Sequence, residues 1–280
     1  MPEGDTIHRT AARLRPALEG RALVRMEARR LPPPLPGPGT VVTSVGAEGK
    51  HLLIAFDDGW VLQTHMRMTG SWHLYRRGER WRKPAHLARV VLEVGGTDRR
   101  PEGPEPIDDG WVAVCFSAPV VELVRAPRTG HLGPDLCRSD ADLAETVRRM
   151  GSLDPTTALA EVLLDQRVCC GVGNVYKSEV PFALGLHPST PVGHLDGDTR
   201  WRVVATAARQ LRANLTTTAR TTWPGPPGTL AVYGRKGEPC RRCATPVRMA
   251  RTGPQARSTY WCPTCQPPPA AGLSAPRPPS

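Results

Sequence analysis

Apolar residues first recur at helical spacing near the start of the chain. Ala11, Leu14 and Leu18 fall on one face of a helix predicted over residues 6–19, and Gly20 stops it. From there to about residue 125 the pattern shortens. Residues 41–45, 52–56, 60–65, 90–94, 111–116 and 120–124 are strand-like runs, and Asp57-Asp58-Gly59 is a hairpin turn. Many short strands in succession predict a sandwich or barrel. Two Pro/Gly-rich stretches, 31–39 and 95–110, read as loops.

Near residue 135 the signals become helical. Asp154-Pro155 reads as an N-cap followed by a first-turn proline, with Leu159, Val162 and Leu163 at helical spacing after it. Gly171-Val172-Gly173-Asn174 interrupts the pattern. A second helix is then predicted from Val175 until Gly185 and Pro188 end it, and another over 200–216. A glycine-bearing turn between two short helices is often only a turn, but it can also present backbone N–H groups and the Asn174 amide to a phosphate. There is no internal repeat. From Pro267 the chain is Pro/Ala/Ser-rich and reads as a disordered tail.

The expected class is therefore α+β and multidomain. It comprises an N-terminal β-sandwich over residues 1–135, a helical domain over 136–230, a cysteine-bearing hairpin over 231–266 and a tail over 267–280.

Cys240, Cys243, Cys262 and Cys265 read C-x2-C-x18-C-x2-C, within the spacing of a four-thiolate zinc site on two knuckles of a β-hairpin. Residues 247–251 and 258–261 are its predicted strands, around a turn at Thr252-Gly253-Pro254. Two disulfides are the alternative. The absence of a signal peptide or transmembrane run points instead to a reducing cytoplasm, and so to one structural zinc. Cys115, Cys137, Cys169 and Cys170 lack ligand spacing and read as small buried apolar residues.

Charge narrows the partner. The formal net charge is +11, and the hairpin from Gly234 to Cys265 carries Arg235, Lys236, Arg241, Arg242, Arg248, Arg251 and Arg257 against Glu238 alone. A small, rigid, basic hairpin suits a nucleic-acid groove. Only Lys50, Lys83, Lys177 and Lys236 are lysines, and prolines number 31 and glycines 27, which is the codon bias of a GC-rich genome. The arginine excess is correspondingly weaker as an argument. The same bias means that a surviving lysine more often needs to be a lysine.

The start, Met1-Pro2-Glu3-Gly4-Asp5, carries candidate chemistry. Removal of Met1 makes Pro2 a terminal secondary amine, which attacks an aldehyde to give an iminium ion, an electron sink for breaking a neighbouring C–O bond. An α-amino group titrates near pKa ~8 against ~10.4 for lysine, leaving roughly a hundredfold more of it nucleophilic at neutral pH. Glu3 beside it is placed to shuttle protons. The bland reading is an irregular leader, as many Met-Pro starts are.

Together these separated pieces resemble the formamidopyrimidine-DNA glycosylase and endonuclease VIII family of base-excision repair enzymes, from Pro2 to Gln266 and in the family's order. The start resembles the endonuclease VIII branch, and Gly49-Lys50-His51-Leu52-Leu53 is similar to the catalytic-lysine strand. His131-Leu132-Gly133-Pro134-Asp135 is similar to the segment closing the β domain. Leu164-Asp165-Gln166 with Gly171 to Tyr176 resembles the helix-two-turn-helix, and Val232-Tyr233-Gly234-Arg235 with the four cysteines resembles the zinc finger. The resemblance implies Pro2 as Schiff-base nucleophile at C1′ of a damaged nucleotide, Glu3 as general acid/base and Lys50 as proton donor and phosphate contact in β-elimination. It also implies Arg257 gripping the phosphates and assisting δ-elimination, Asn174 holding a backbone phosphate, and Met68 as a wedge filling the gap left by the flipped nucleotide. Tyr233 lies in the same DNA-facing motif. The partner implied is damaged DNA, duplex or single-stranded, acted on by a cytoplasmic monomer without a membrane segment and without a catalytic metal.

Ser117-Ala118-Pro119-Val120-Val121 stands where the formamidopyrimidine branch carries an Arg-Arg-Phe-Gly loop, which points to oxidised pyrimidines; preference for 8-oxoguanine is the alternative. Arg67 and His131 replace residues that a bacterial endonuclease VIII uses toward DNA, so their roles are open. The rival classes are a catalytically inactive damage-binding relative and a zinc-ribbon transcription factor. The first needs a broken site, yet Pro2, Glu3, Lys50 and Arg257 are all present. The second leaves the N-terminal residues unexplained.

Overall fold

Helix α1 (Gly4–Leu18) begins two residues before the predicted start and buries Ile7, Ala11, Leu14 and Leu18 along one stripe. It opens a chain that the computed structural model describes over residues 2–96 and 110–269. Met1, most of the loop expected over 95–110 and most of the tail expected from Pro267 lie outside the described residues. The chain divides into two compact units: Met1–Pro2 with Thr6–Gly130, and Glu3–Asp5 with His131–Ser280.

The first unit is a β-sandwich of two antiparallel four-stranded sheets. One has the order β1 (Leu23–Glu27), β6 (Ala88–Val94), β7 (Trp111–Phe116), β5 (Ser71–Arg76); the other runs β2 (Val42–Glu48), β3 (His51–Phe56), β4 (Val61–His65), β8 (Val120–Val124). Alternation decides which face turns inward. In β3, Leu52, Ile54 and Phe56 are buried while His51, Leu53 and Ala55 are half-buried. Those residues join Val42, Val45, Leu62, Val90, Leu92 and the apolar stripe of α1 in one core, each large side chain stabilising by about 1.5–3 kcal/mol. Six strands fall where the hydrophobic pattern predicts them, and Asp57-Asp58-Gly59 turns β3 into β4.

Strands β1 and β5 are additions to the expected set. Both are edge strands, so each has only one neighbour to satisfy and much of its surface stays polar. In β1 only Leu23 is buried, and the exposed Arg25 lies 3.4 Å from the half-buried Glu93 of the neighbouring strand.

The second unit holds α2 (Leu143–Gly151), α3 (Leu159–Val162), α4 (Tyr176–Leu184) and α5 (Gly197–Ala213) around Leu136, Met150, Leu159, Tyr176, Val180, Val203 and Leu211. Asp142 caps α2 by accepting the Glu145 N–H at 2.8 Å, and Asp196 caps α5 by accepting that of Thr199 at 2.7 Å. The predicted cap at Asp154 is corrected. Its carboxylate accepts from the N–H and hydroxyl of Thr156 within a turn, and α3 starts only after Ala158. Helix α5 begins three residues earlier than its pattern predicts, because Asp196 supplies the cap. Gly185 ends α4 in the left-handed conformation, φ +69°.

Strands β9 (Arg248–Thr252) and β10 (Arg257–Trp261) pair as an antiparallel hairpin. A small cluster of Phe182, Ala231, Val232 and Val247 with Cys240 and Cys262 joins it to the helices. Among the described residues no helix is long and apolar enough to cross a membrane.

Candidate active site

Lys50, Arg67 and Met68, three of the candidates of the first unit, lie at one end of its second sheet. Gly49 and Lys50 form the two-residue turn between β2 and β3, and the next residue, His51, pairs across the sheet with His65 of β4. The two imidazoles meet edge to face, ring centres 4.9 Å apart, and His51 Nδ1 lies 3.0 Å from the Gln63 amide. Burial, then the nearby His51, Lys50 and Arg67, hold the His65 pKa down to about 4. His65 is therefore neutral at physiological pH, and its Nδ1 accepts the Arg67 N–H at 3.1 Å. That bond holds Arg67 in a left-handed conformation, φ +44°, uncommon for a side-chain-bearing residue. The next residue, Met68, is 68% exposed. Pro2 is half-buried in the same unit.

In the second unit the organising group is the Glu3 carboxylate. It has no solvent exposure; Oε2 accepts the Gly173 N–H at 2.9 Å and Oε1 the Val175 N–H at 2.7 Å. Gly4 continues the contact by donating its N–H to the Gly171 carbonyl at 2.8 Å, and a Cβ on Gly4 would come within 2.6 Å of Gly171 Cα. Asp5, also buried, takes a bidentate pair from Arg220 at 2.7 and 2.5 Å and the Tyr176 hydroxyl at 3.0 Å. The Gly173 N–H of the glycine turn and the Val175 N–H that follows it thus go to an internal carboxylate, and the expectation that the turn offers its N–H groups to a phosphate is corrected for Gly173.

Asn174 sits between those donors. Its Nδ2 donates to Ser258 Oγ at 3.1 Å and faces the Tyr233 hydroxyl at 3.5 Å, while its Oδ1 is buried without a hydrogen-bond partner among the described residues. Tyr233 packs edge to face on Tyr260, ring centres 5.0 Å apart. Arg257, half-buried, opens β10 and donates through Nε to Gln255 at 2.7 Å. His131 is exposed at the start of the unit.

One residue that sequence reasoning missed fixes the hairpin to the helices. Glu179 on α4 is 1% exposed, and its carboxylate accepts the N–H groups of Ala231 at 2.8 Å, Val232 at 2.9 Å and Tyr233 at 2.7 Å, together with the Thr222 hydroxyl. Ser178 adds a bond from the Tyr260 N–H at 3.2 Å, and Gln266 reaches the Leu186 carbonyl at 2.7 Å. Nothing local in the sequence marks these residues, since their partners lie far along the chain.

The four sulfurs of Cys240, Cys243, Cys262 and Cys265 lie within 4.8 Å of one another. Contacts of 3.4 to 3.9 Å are far longer than an S–S bond and bracket the ~3.8 Å expected between thiolates around a tetrahedral zinc with Zn–S near 2.3 Å. Backbone N–H groups of Arg242 and Cys265 point at Cys240 and Cys262 sulfurs, each at 3.4 Å. Hydrogen bonds from the Thr245 hydroxyl and N–H lower the Cys243 pKa and so favour its metal-binding thiolate form. The set fits one structural zinc. The remaining four cysteines are all buried, as expected.

Three family patterns match in order: the formamidopyrimidine-DNA glycosylase N-terminal domain over residues 1–102, its H2TH domain over 132–223, and the zinc finger found in FPG and IleRS over 237–268. The chain is also 42% identical to the probable endonuclease 8 2 of Streptomyces coelicolor, over 96% of its own length and 95% of that protein. The chain belongs to the formamidopyrimidine-DNA glycosylase and endonuclease VIII family. It is 40% identical to the DNA-(apurinic or apyrimidinic site) lyase Nei2 of Mycolicibacterium smegmatis, covering 95% of this chain and 99% of that protein. Among solved structures, the Lactococcus lactis Fpg in complex with abasic-site DNA shares the fold with a TM-score of 0.75 at 18% identity, over 95% of this chain and 100% of that one. The sandwich, the helix-two-turn-helix and the zinc hairpin are thus this family's architecture.

Proposed function

We propose that this chain is a bifunctional DNA glycosylase and abasic-site lyase of base-excision repair, using the Pro2 amine as nucleophile. The observation that carries the reading is the Glu3 carboxylate, enclosed and held by two backbone N–H groups one peptide bond from Pro2. A carboxylate so fixed has one orientation, which a proton carrier for a neighbouring iminium requires.

In this reading Pro2 attacks C1′ of an extruded nucleotide as the base leaves. Glu3 protonates the opening deoxyribose, and the iminium acidifies C2′ so that the 3′ phosphate departs. Lys50 supplies a proton during β-elimination, and Arg257 binds phosphate and assists the δ step. Asn174 is suited to a phosphate because both its hydrogen-bonded neighbours are hydroxyls. Turned over, its Oδ1 accepts from Ser258 and Tyr233, and Nδ2 becomes a buried donor facing outward. Met68, apolar yet 68% exposed beside a strained residue, fits a wedge entering a base stack. Zinc holds the hairpin that carries Arg257 and takes no part in bond breaking.

Oxidised pyrimidines are the proposed substrates. What supports this is the connection between β7 and β8, only Ser117, Ala118 and Pro119 long, too short for a loop that fills the duplex and probes the opposite base. We take the active species to be a monomer in the bacterial cytoplasm; single-stranded DNA is left to the same assay. Incubation with an abasic-site duplex and a hydride reductant should trap one covalent complex per active chain. Retaining Met1 or adding an N-terminal tag should abolish trapping, and full trapping by a tagged, uncleaved protein would overturn Pro2 as nucleophile.

A further inference from the structure

Lys177 is one of four lysines in an arginine-rich chain, and none of the roles above uses it. It is the second residue of α4, three positions after Asn174, and is 1% exposed. The strongest influences at that position work against a cation. The helix N-terminus carries positive partial charge, the site is desolvated, and Arg257 of β10 is close enough to repel it. Glu161 of α3 and Glu3 oppose that repulsion, but among the described residues neither forms an ion pair or hydrogen bond with the ammonium. The nitrogen is not among the sealed polar atoms that lack a partner, so the small remaining exposure of this side chain is at its charged tip.

An apolar residue such as Met would fill the same space without the desolvation cost. Three positions earlier, Asn174 Oδ1 is buried without a hydrogen-bond partner among the described residues. Two cations, an amide whose neighbours Ser258 and Tyr233 are hydroxyls able to donate or accept, and, among the described residues, no carboxylate bonded to the ammonium suit the arrival of an anion.

We propose that Lys177 and Arg257 form a two-cation clamp for a DNA phosphate diester, a proposal that rests on the DNA-repair reading above. A planar guanidinium and a point-charge ammonium then hold one anion from two elements, α4 and β10. Burial, and next Arg257, bring the ammonium's pKa down to about 8 in the unliganded protein. An arriving phosphate reverses the balance and raises it, so binding takes up a proton once the pH passes about 8.

The test is fluorescence anisotropy with a duplex carrying a tetrahydrofuran abasic analogue, which no amine can attack, titrated in salt and in pH from 7 to 9.5. Lys177→Met should bind about tenfold more weakly at 0.1 M salt, with the log–log salt slope shallower by about one. Wild-type affinity should fall above pH 8, while Lys177→Arg keeps the salt slope and loses that fall. An unchanged slope in Lys177→Met overturns the clamp. If that variant does not fold, the pH comparison decides alone, and parallel profiles for wild type and Lys177→Arg overturn it. Reductive trapping of wild type on a true abasic site separates the two readings. Failure to trap counts against the lyase itself and the clamp falls with it, whereas normal trapping with an unchanged slope removes the clamp alone.

Discussion

Glu3 and Gly173 are matched atom for atom: a Cβ on residue 173 would lie 2.4 Å from Glu3 Cδ and 2.8 Å from its Oε1, while the Gly173 N–H binds the same carboxylate at 2.9 Å. The glycine is required by proximity, since its backbone conformation is open to other residues. Gly173→Ala should therefore push the carboxylate aside and leave the fold in place. A displacement near 1 Å at a reacting group costs on the order of a hundredfold in rate, and single-turnover excision should fall by that much. Glu3→Gln in the same background should then cost little more, because the carboxylate is already out of position. Full additivity of the two changes would show that Gly173 acts elsewhere.

Asp5 and Arg220 form a second pair, 215 residues apart in sequence, with the carboxylate 1% and the guanidinium 16% exposed. Arg220→Met leaves a buried carboxylate without its cation, a change that destabilises by about 3–5 kcal/mol. Thermal unfolding should show a drop of several degrees, and Asp5→Asn in the same chain should recover part of it. A melting temperature equal to wild type would mean that solvent reaches Asp5.

These pairings explain where the sequence could be read and where it could not. The zinc ligands are legible because each Cys pair is local and the x2 spacing is itself the geometry of a knuckle. Sandwich strands such as β3 and β7 are legible because burial on one or both faces writes a hydrophobic pattern. Strand β5 is not, since Ser71, His73 and Arg76 break the run on an edge that needs only Trp72 and Tyr75 inside. Asp154 misleads because a turn and a helix cap use the same side chain-to-backbone bond, and only the residues after it decide which forms. Glu179 and Arg220 were silent for another reason. Buried charge reads as surface until its partner is known, and their partners lie 43 to 215 residues away along the chain.

His65 provides a pH signature in the first unit. Its folded pKa of about 4 lies below the ordinary value of 6.5, so between those limits the unfolded chain binds the proton and the folded one does not. Stability from this residue is complete above pH 6.5 and is lost as the pH falls toward 4, by on the order of 2 kcal/mol given its partial exposure. Replacing it with Asn keeps an acceptor for the Arg67 N–H and removes the titration. Denaturant unfolding at pH 4.5 and 7 should then differ less for His65→Asn than for wild type, and equal differences would place the acid sensitivity in other groups.

Zinc should matter locally. Cys243→Ser removes one of four thiolates, and the hairpin it closes carries Arg257 five residues before Cys262. Because Glu179, Ser178 and Gln266 also fasten this region to the helices, the unit should stay folded while the hairpin loosens. Metal analysis should find about one zinc per wild-type chain, and the variant should bind abasic-analogue DNA at least tenfold more weakly with little change in far-ultraviolet circular dichroism. Active wild-type protein without zinc would refute the site.

The two elimination steps should separate by residue. Arg257 begins β10 on the hairpin that the metal fixes, and its guanidinium suits two phosphate oxygens at once. Lys50 occupies a two-residue turn in the other unit, where a compact ammonium serves to deliver a proton. Arg257→Ala should weaken lesion binding and base excision. On a preformed abasic site at saturating enzyme it should still permit β-elimination, so the 3′ product shifts from phosphate toward unsaturated aldehyde. Lys50→Ala should depress base removal more than cleavage of preformed abasic sites, because the aldehyde form of the sugar needs less help to open. A denaturing gel resolves the two 3′ ends directly. An unchanged product ratio for Arg257→Ala at saturation would confine that residue to binding and leave the δ step to the amine and its neighbouring carboxylate.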